Sequence, residues 1–328
     1  MTTVKRLTPA ALATIVMILL ASAATPVRAG SVIGVDVGNY IVLYEGGSST
    51  AKLSINNFGT TGTWIGDIGV AGVGKFAATG PGTLNGNVDF AAANTGQATI
   101  NNTTINGTVN YNVVGVQAAM SALNMLSSNL GAQVGSGTAL TINTTSTQTV
   151  LASNGFLSGN NRLFTVSSIN TNNGQNLIIK GDGSQNVVFN VNTLGSAQFH
   201  GNILLQDLSG KFLGDPGYSG LFPDQVLFNL HTGATLDINN NGNNAHPNNV
   251  IEATFLDPLG SVSMVNTRLD GRIFGGDCSN MQLVSGDTIR LPALGPAAAP
   301  EPSTAILALC GAMPLLLSLV RRRRNVAP

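Results

Sequence analysis

Apolar and polar residues alternate along the middle of this chain in short bursts. Tyr40-Ile41-Val42-Leu43-Tyr44 reads as a strand from its β-branched and aromatic content. A pattern of apolar, any, Gly, polar, β-branched apolar then recurs in Trp64-Ile65-Gly66-Asp67-Ile68, Leu84-Asn85-Gly86-Asn87-Val88 and Ile105-Asn106-Gly107-Thr108-Val109. These copies start 20 and then 21 residues apart. Phe199-His200-Gly201-Asn202-Ile203 and Leu269-Asp270-Gly271-Arg272-Ile273 repeat it downstream. After four of the five, an apolar residue follows two positions later (Val70, Phe90, Tyr111, Leu205), the alternation of a half-buried strand.

One strand per repeat of about twenty residues, with frequent turn residues, predicts a mainly β, parallel β-solenoid over residues 30–290. Each coil then buries its inward side chains against the coils on either side, with Leu84, Val88, Ile105 and Val109 among the inward set. Glycine at the third position fits a corner needing positive φ or a close approach of stacked backbones. A β-sandwich with evenly spaced strands is the competing fold, but it leaves the recurring signature unexplained. Leu177-Ile178-Ile179, Val187-Val188-Phe189, Gln225-Val226-Leu227-Phe228 and Ile251-Glu252-Ala253-Thr254-Phe255 are further coil strands, and Gly181-Asp182-Gly183-Ser184 is a turn.

One segment has a different period. From Val114 to Leu130 the apolar residues Val116, Met120, Leu123, Leu126 and Leu130 fall three or four apart, with Gly131 placed to end a helix of about four turns on the solenoid flank.

Both termini carry targeting patterns. Lys5 and Arg6 precede an apolar segment from Ala10 to Ala24, and Val27-Arg28-Ala29 fits the end of a signal peptide cleaved after Ala29. After a Pro/Ala-rich linker over 291–302 containing Pro300-Glu301-Pro302, an apolar run from Thr304 to Val320 is followed by Arg321, Arg322, Arg323 and Arg324. Seventeen helical residues span roughly 25 Å, enough to cross a bilayer core. The arginine cluster stays cytoplasmic and leaves the body outside, so residues 303–324 read as a membrane anchor. Hydrophobic helices are expected at both ends of the chain.

Charge changes little. Three of the fifteen basic residues lie in the leader and four in the tail, so the body has eight against fourteen acids, about −6. Its basic residues are scattered singly, which excludes a nucleic-acid partner. The two cysteines, Cys278 and Cys310, are too few for a disulfide framework.

No motif for a catalytic residue, cofactor or metal stands out. His200, His231 and His246 are isolated. Asp237-Ile238-Asn239-Asn240-Asn241-Gly242 begins like a calcium loop but has Asn248 in place of the closing Glu. Asp270, Asp277 and Asp287 are the acids available to a polysaccharide lyase or hydrolase, yet their Gly and Ser neighbours read as turns.

The order of Pro-Glu-Pro, apolar helix and basic cluster resembles the PEP-CTERM sorting signal of bacterial surface proteins. That resemblance implies processing by signal peptidase and an exosortase-type protease. The repeats and the helix, over Ser31–Arg290, resemble the ice-binding-type and choice-of-anchor solenoids, which implies a right-handed coil. Thr61-Gly62-Thr63 and Thr145-Ser146-Thr147 are not repeated at the twenty-residue period, so a threonine ice face is not expected. The reading is an exported, envelope-anchored structural or adhesive protein without catalysis, with an extracellular polysaccharide as its partner. The alternatives are a carbohydrate-active solenoid enzyme or an ice-binding protein.

Overall fold

The computed structural model describes residues 29–34, 37–58, 63–172, 174–239, 250–277, 280–284 and 287–291. The leader before Ala29, Pro300-Glu301-Pro302, the anchor with Arg321–Arg324, Cys278, Cys310, His246 and the loop around Asn248 lie outside them. Among the described residues, no helix is long and apolar enough to cross a membrane. Ala29–Gly295 is one compact unit.

The chain winds through three faces in turn. An 18-stranded sheet makes the first two faces and a 9-stranded sheet the third. All pairings between coils are parallel; the antiparallel strand Phe156–Ser158 on Asn161–Leu163 is the exception among the named strand pairs. The inward column of the first face reads Val109, Val88, Ile68, Val42, Ile273, Phe255, Phe228, Phe189, Phe164. Its four phenylalanines stack with ring centroids 5.4, 4.6 and 5.2 Å apart, close to the spacing of the strands that carry them.

That column also shows the order of coils. The first coil does not lie at an end. Its strands Tyr40–Tyr44, Lys52–Asn56 and Thr63–Ile65 pair on one side with the second coil and on the other with Arg272–Gly275, Met281–Val284 and Thr288–Arg290 of the last coil. The upper block, Tyr40 to Asn110, therefore sits on the lower block, Thr138 to Arg290.

Helix α1 (Val114–Gly131) connects the far ends of the two blocks. It lies on the outside of the first face against strands of both. Val116, Ala119, Met120, Leu123 and Leu130 pack there with Leu43, Leu163, Val188, Leu227, Leu256 and Phe274 in a second apolar core, which is why first-face strands are buried on both sides. The end of α1 is tied down by a buried amide pair. Asn190 donates to the Leu130 carbonyl at 2.9 Å and Asn229 to the Ser127 carbonyl at 3.1 Å, adding side-chain donors to carbonyls of the last turns.

The recurring pentad is not one strand, as predicted, but two strands meeting at a corner. Thr63–Ile65 precedes Gly66 on the third face, and Asp67–Val70 follows on the first. The corner keeps the alternation, so Trp64 and Ile68 both point inward and both are fully buried. Glycine is required there by close approach. A Cβ on Gly86 would lie 1.9 Å from the Gly66 carbonyl oxygen, and one on Gly271 1.8 Å from that of Ala253. The Phe199–Ile203 copy occupies a different corner, between second and third faces. Ile251–Phe255, predicted as one strand, also breaks at the third-to-first corner, between Val250–Ile251 and Thr254–Asp257. Of the predicted inward residues, Leu84 and Val88 are fully buried. Ile105 and Val109 belong to the uppermost coil and are only partly covered.

Candidate functional site

With the first face covered by α1, the second and third faces remain to meet a ligand. On the third face the positions before the inward Trp64, Leu84 and Ile105 are Thr63, Thr83 and Thr104, paired in register. The pairing of Arg290 with Ile65 brings Thr288 into the same column. Four consecutive coils thus place threonine at one register position of this face, which corrects the expectation that Thr63 has no repeat. Thr104 is exposed, and Thr83 and Thr288 are half-buried. The column ends at Arg268, which pairs with Asp270.

The next outward column carries Asn106, Asn85, Ile65 and Arg290. Asn106 donates to the Asn85 side-chain oxygen at 2.5 Å, fixing both amides along the axis. At the adjoining corner, Asn87 N–H donates to Asp67 at 2.7 Å and the Thr108 hydroxyl to Asn87 at 3.1 Å. Turn side chains therefore stack as regularly as the strands.

On the second face of the upper block the outward residues are Ser54 and Asn56, Ala77 and Thr79, and Thr99 and Asn101, with Lys52 and Lys75 at one margin. Thr79 donates to Asn56 at 2.9 Å. Further down, the same face carries Gln282, Ser263, Asp237, Gln198, Asn170 and Asn143. His200 is not isolated here, since its Nε2 lies 3.1 Å from Asp237. That pairing also engages the first acid of the calcium-like segment.

The three acids considered for catalysis do not come together. Asp270 lies on the third face with Arg268. Asp277 accepts a hydrogen bond from Gly47 N–H through its backbone carbonyl. Asp287 is fully buried, accepts from Thr267 N–H at 2.9 Å, and is pushed up to about 8 by desolvation. Desolvation also pushes Asp257 and Glu252 up to about 8; Glu252 accepts from Leu205 N–H at 2.7 Å and Asp257 from Gly260 N–H at 3.0 Å. Each of these carboxyls holds a backbone N–H. No group of three or more metal-ligating side chains is present among the described residues.

A cleft of about 520 Å³ lies between α1 and the coils, lined by Glu45, Asn124, Ser127, Gly131, His231 and Leu259. Asn124 donates to Glu45 at 3.0 Å. Burial raises the Glu45 carboxyl and lowers His231. Sequence reasoning missed this cleft, because its residues come from segments with no shared motif.

No protein-family profile and no curated protein matches the chain. Several solved structures are similar in fold. An ice-binding protein from the Antarctic ascomycete Antarctomyces psychrotrophicus is 14% identical with a TM-score of 0.42, covering 79% of this chain and 97% of its own. A glycosylated ice-binding protein from an Arctic yeast is 13% identical with a TM-score of 0.43, covering 84% and 98%. An ice-binding protein from an Antarctic Flavobacteriaceae bacterium is 13% identical with a TM-score of 0.44, covering 85% of this chain and 52% of its own. Similarity at this level assigns no function to the chain.

Proposed function

We propose that the chain is an exported, non-catalytic protein whose solenoid binds an ordered, repeating, uncharged surface, with ice as the surface it fits best. The observation that carries this reading is the column Thr104, Thr83, Thr63 and Thr288 beside the Asn106–Asn85 pair. Threonine positions repeat there in register at the roughly 4.8 Å spacing of strands, on a rigid sheet. The upper part of this array offers donors and acceptors without the tightly held hydration of charges, which enter only at its lower end with Arg290, Arg268 and Asp270, and this suits a lattice of water.

Export and envelope attachment rest on the leader ending at Ala29 and the Pro300-Glu301-Pro302 segment with its arginine cluster. Signal peptidase and an exosortase-type protease are the processing partners, and the body lies outside the cytoplasm. The separation of Asp270, Asp277 and Asp287 into three local bonding roles supports the absence of catalysis. A second reading is an extracellular polysaccharide as ligand. It is favoured by the amides Gln282, Gln198, Asn170 and Asn143 in register on the lower second face, which suit sugar hydroxyls.

Partition into a slowly growing ice front tests the first reading. The full chain in mild detergent is expected to enter the ice, and Thr83→Lys with Thr104→Lys to be excluded while keeping its circular dichroism. Exclusion of the wild-type chain overturns the ice reading. Retention on host exopolysaccharide without new reducing ends then establishes the second, and release of oligosaccharides establishes an enzyme.

A further inference from the structure

We propose that copies of this chain stack end to end, the uppermost coil of one seating under the lowest coil of the next in continuous parallel register. This assembly is separate from the surface-binding reading and does not rest on it.

Both ends of the stack are open edges. The uppermost strands Ala98–Asn101, Thr104–Ile105 and Val109–Asn110 each pair on one side, among the described residues. So do the lowest strands Thr138–Thr144 and Gln148–Leu151. A row of unpaired N–H and C=O groups is a template for another chain, and proteins that stay monomeric guard it with charges, proline or bulges. Here charges and proline are missing from the edge strands. From Phe90 to Asn161, 72 consecutive residues contain no Asp, Glu, Lys, Arg, His or Pro, and this stretch makes both end coils and the helix joining them. The register shift between Leu140 and Ile142 falls where that strand passes from first to second face, leaving the edge Ile142–Thr144 regular.

Both ends also expose apolar surface. At the top, Ile100, Ile105, Val109 and Tyr111 belong to the core columns but are only partly covered. At the bottom, Leu151, Phe156 and Leu157 are 38%, 49% and 46% exposed.

The fold already contains a junction of the required kind. The last coil stacks on the first in parallel register although the two are far apart in sequence, burying Leu53 against Met281 and Ile55 against Leu283. Seating one copy's bottom on another's top preserves this winding sense. It lays Ile142–Thr144 on Ala98–Asn101 and Gln148–Leu151 on Thr104–Ile105. On the first face the antiparallel Phe156–Ser158 occupies the lower edge, so the contact there is made by side chains. Because the joined ends differ, the contact does not close on itself and propagates into a filament.

Sedimentation velocity of the full chain in mild detergent tests this with charges placed at exposed edge positions. The wild-type chain is expected to form a concentration-dependent series of larger species. A top-guarded variant (Asn101→Lys with Asn106→Lys) and a bottom-guarded variant (Asn143→Lys with Thr149→Lys), each with unchanged circular dichroism, are expected to be monomeric alone. Mixed, they form a dimer, since each retains the end the other lacks. A wild-type chain that stays monomeric, a guarded variant that still associates alone, or a mixture that stays monomeric overturns the proposal.

Discussion

The indole N–H of Trp64 donates to the backbone carbonyl of Asp287 at 2.7 Å, across 223 residues of sequence. This bond sits at the seam where the last coil meets the first. Trp64 also packs edge-on against Phe58, with ring centroids 4.8 Å apart. Trp64→Phe keeps most of the volume and leaves a buried carbonyl without its donor. Denaturant unfolding is expected to show a loss of about 1–3 kcal/mol.

A charge in the core column should cost according to depth. Val88 is fully buried between Ile68 and Val109, whereas Val109 lies in the uppermost coil and is partly covered. Val88→Asp is expected to destabilise by about 3–5 kcal/mol, and Val109→Asp by less than half of that. Melting temperatures of the two variants check the order, and equal effects would refute the assigned register.

Glycines divide by what their missing side chains would meet. Gly86→Ala drives a methyl group into the Gly66 carbonyl, and backbone cannot yield cheaply, so a loss of about 2 kcal/mol or more is expected. Gly115, in the first turn of α1, has nothing within 4 Å of the added atom. Gly115→Ala should leave stability unchanged or raise it by up to about 1 kcal/mol.

Three buried carboxyls set the response to pH. Glu252, Asp257 and Asp287 are raised to about 8 from ordinary values of 4.5, 3.8 and 3.8. Between those values the folded chain holds protons that the unfolded chain has released. Stability is therefore greatest in mild acid and falls as pH rises toward about 8, then levels off. Thermal melts from pH 4.5 to 9 should show this slope, and Asp287→Asn should make it shallower while Glu252 and Asp257 maintain the rest, since an amide has no proton to lose.

How much of this was legible in the sequence depends on whether the cause was local. The pentad stood out because a corner that admits no Cβ forces glycine, and the alternation around it survives the turn. Where Ala253 replaces that glycine, the corner was hidden and one strand was read in place of two. Helix α1 was found within a residue of its end from the spacing of Met120, Leu123 and Leu130. The threonine column was missed because Thr63, Thr83 and Thr104 stand one position before the repeating pattern, and Thr288 joins through the seam. Parallel pairing of Tyr40–Tyr44 with Arg272–Gly275 leaves no local trace at all.

That seam gives the chain a direction in time. As residues emerge in order from a ribosome or a translocation channel, Tyr40 to Asn110 wind first, with the underside of Tyr40–Tyr44, Lys52–Asn56 and Thr63–Ile65 still bare. Their partners, Arg272–Gly275, Met281–Val284 and Thr288–Arg290, are the last strands to appear. The earliest coil is completed by the latest, and the body stays unlatched until nearly all of its chain has been delivered.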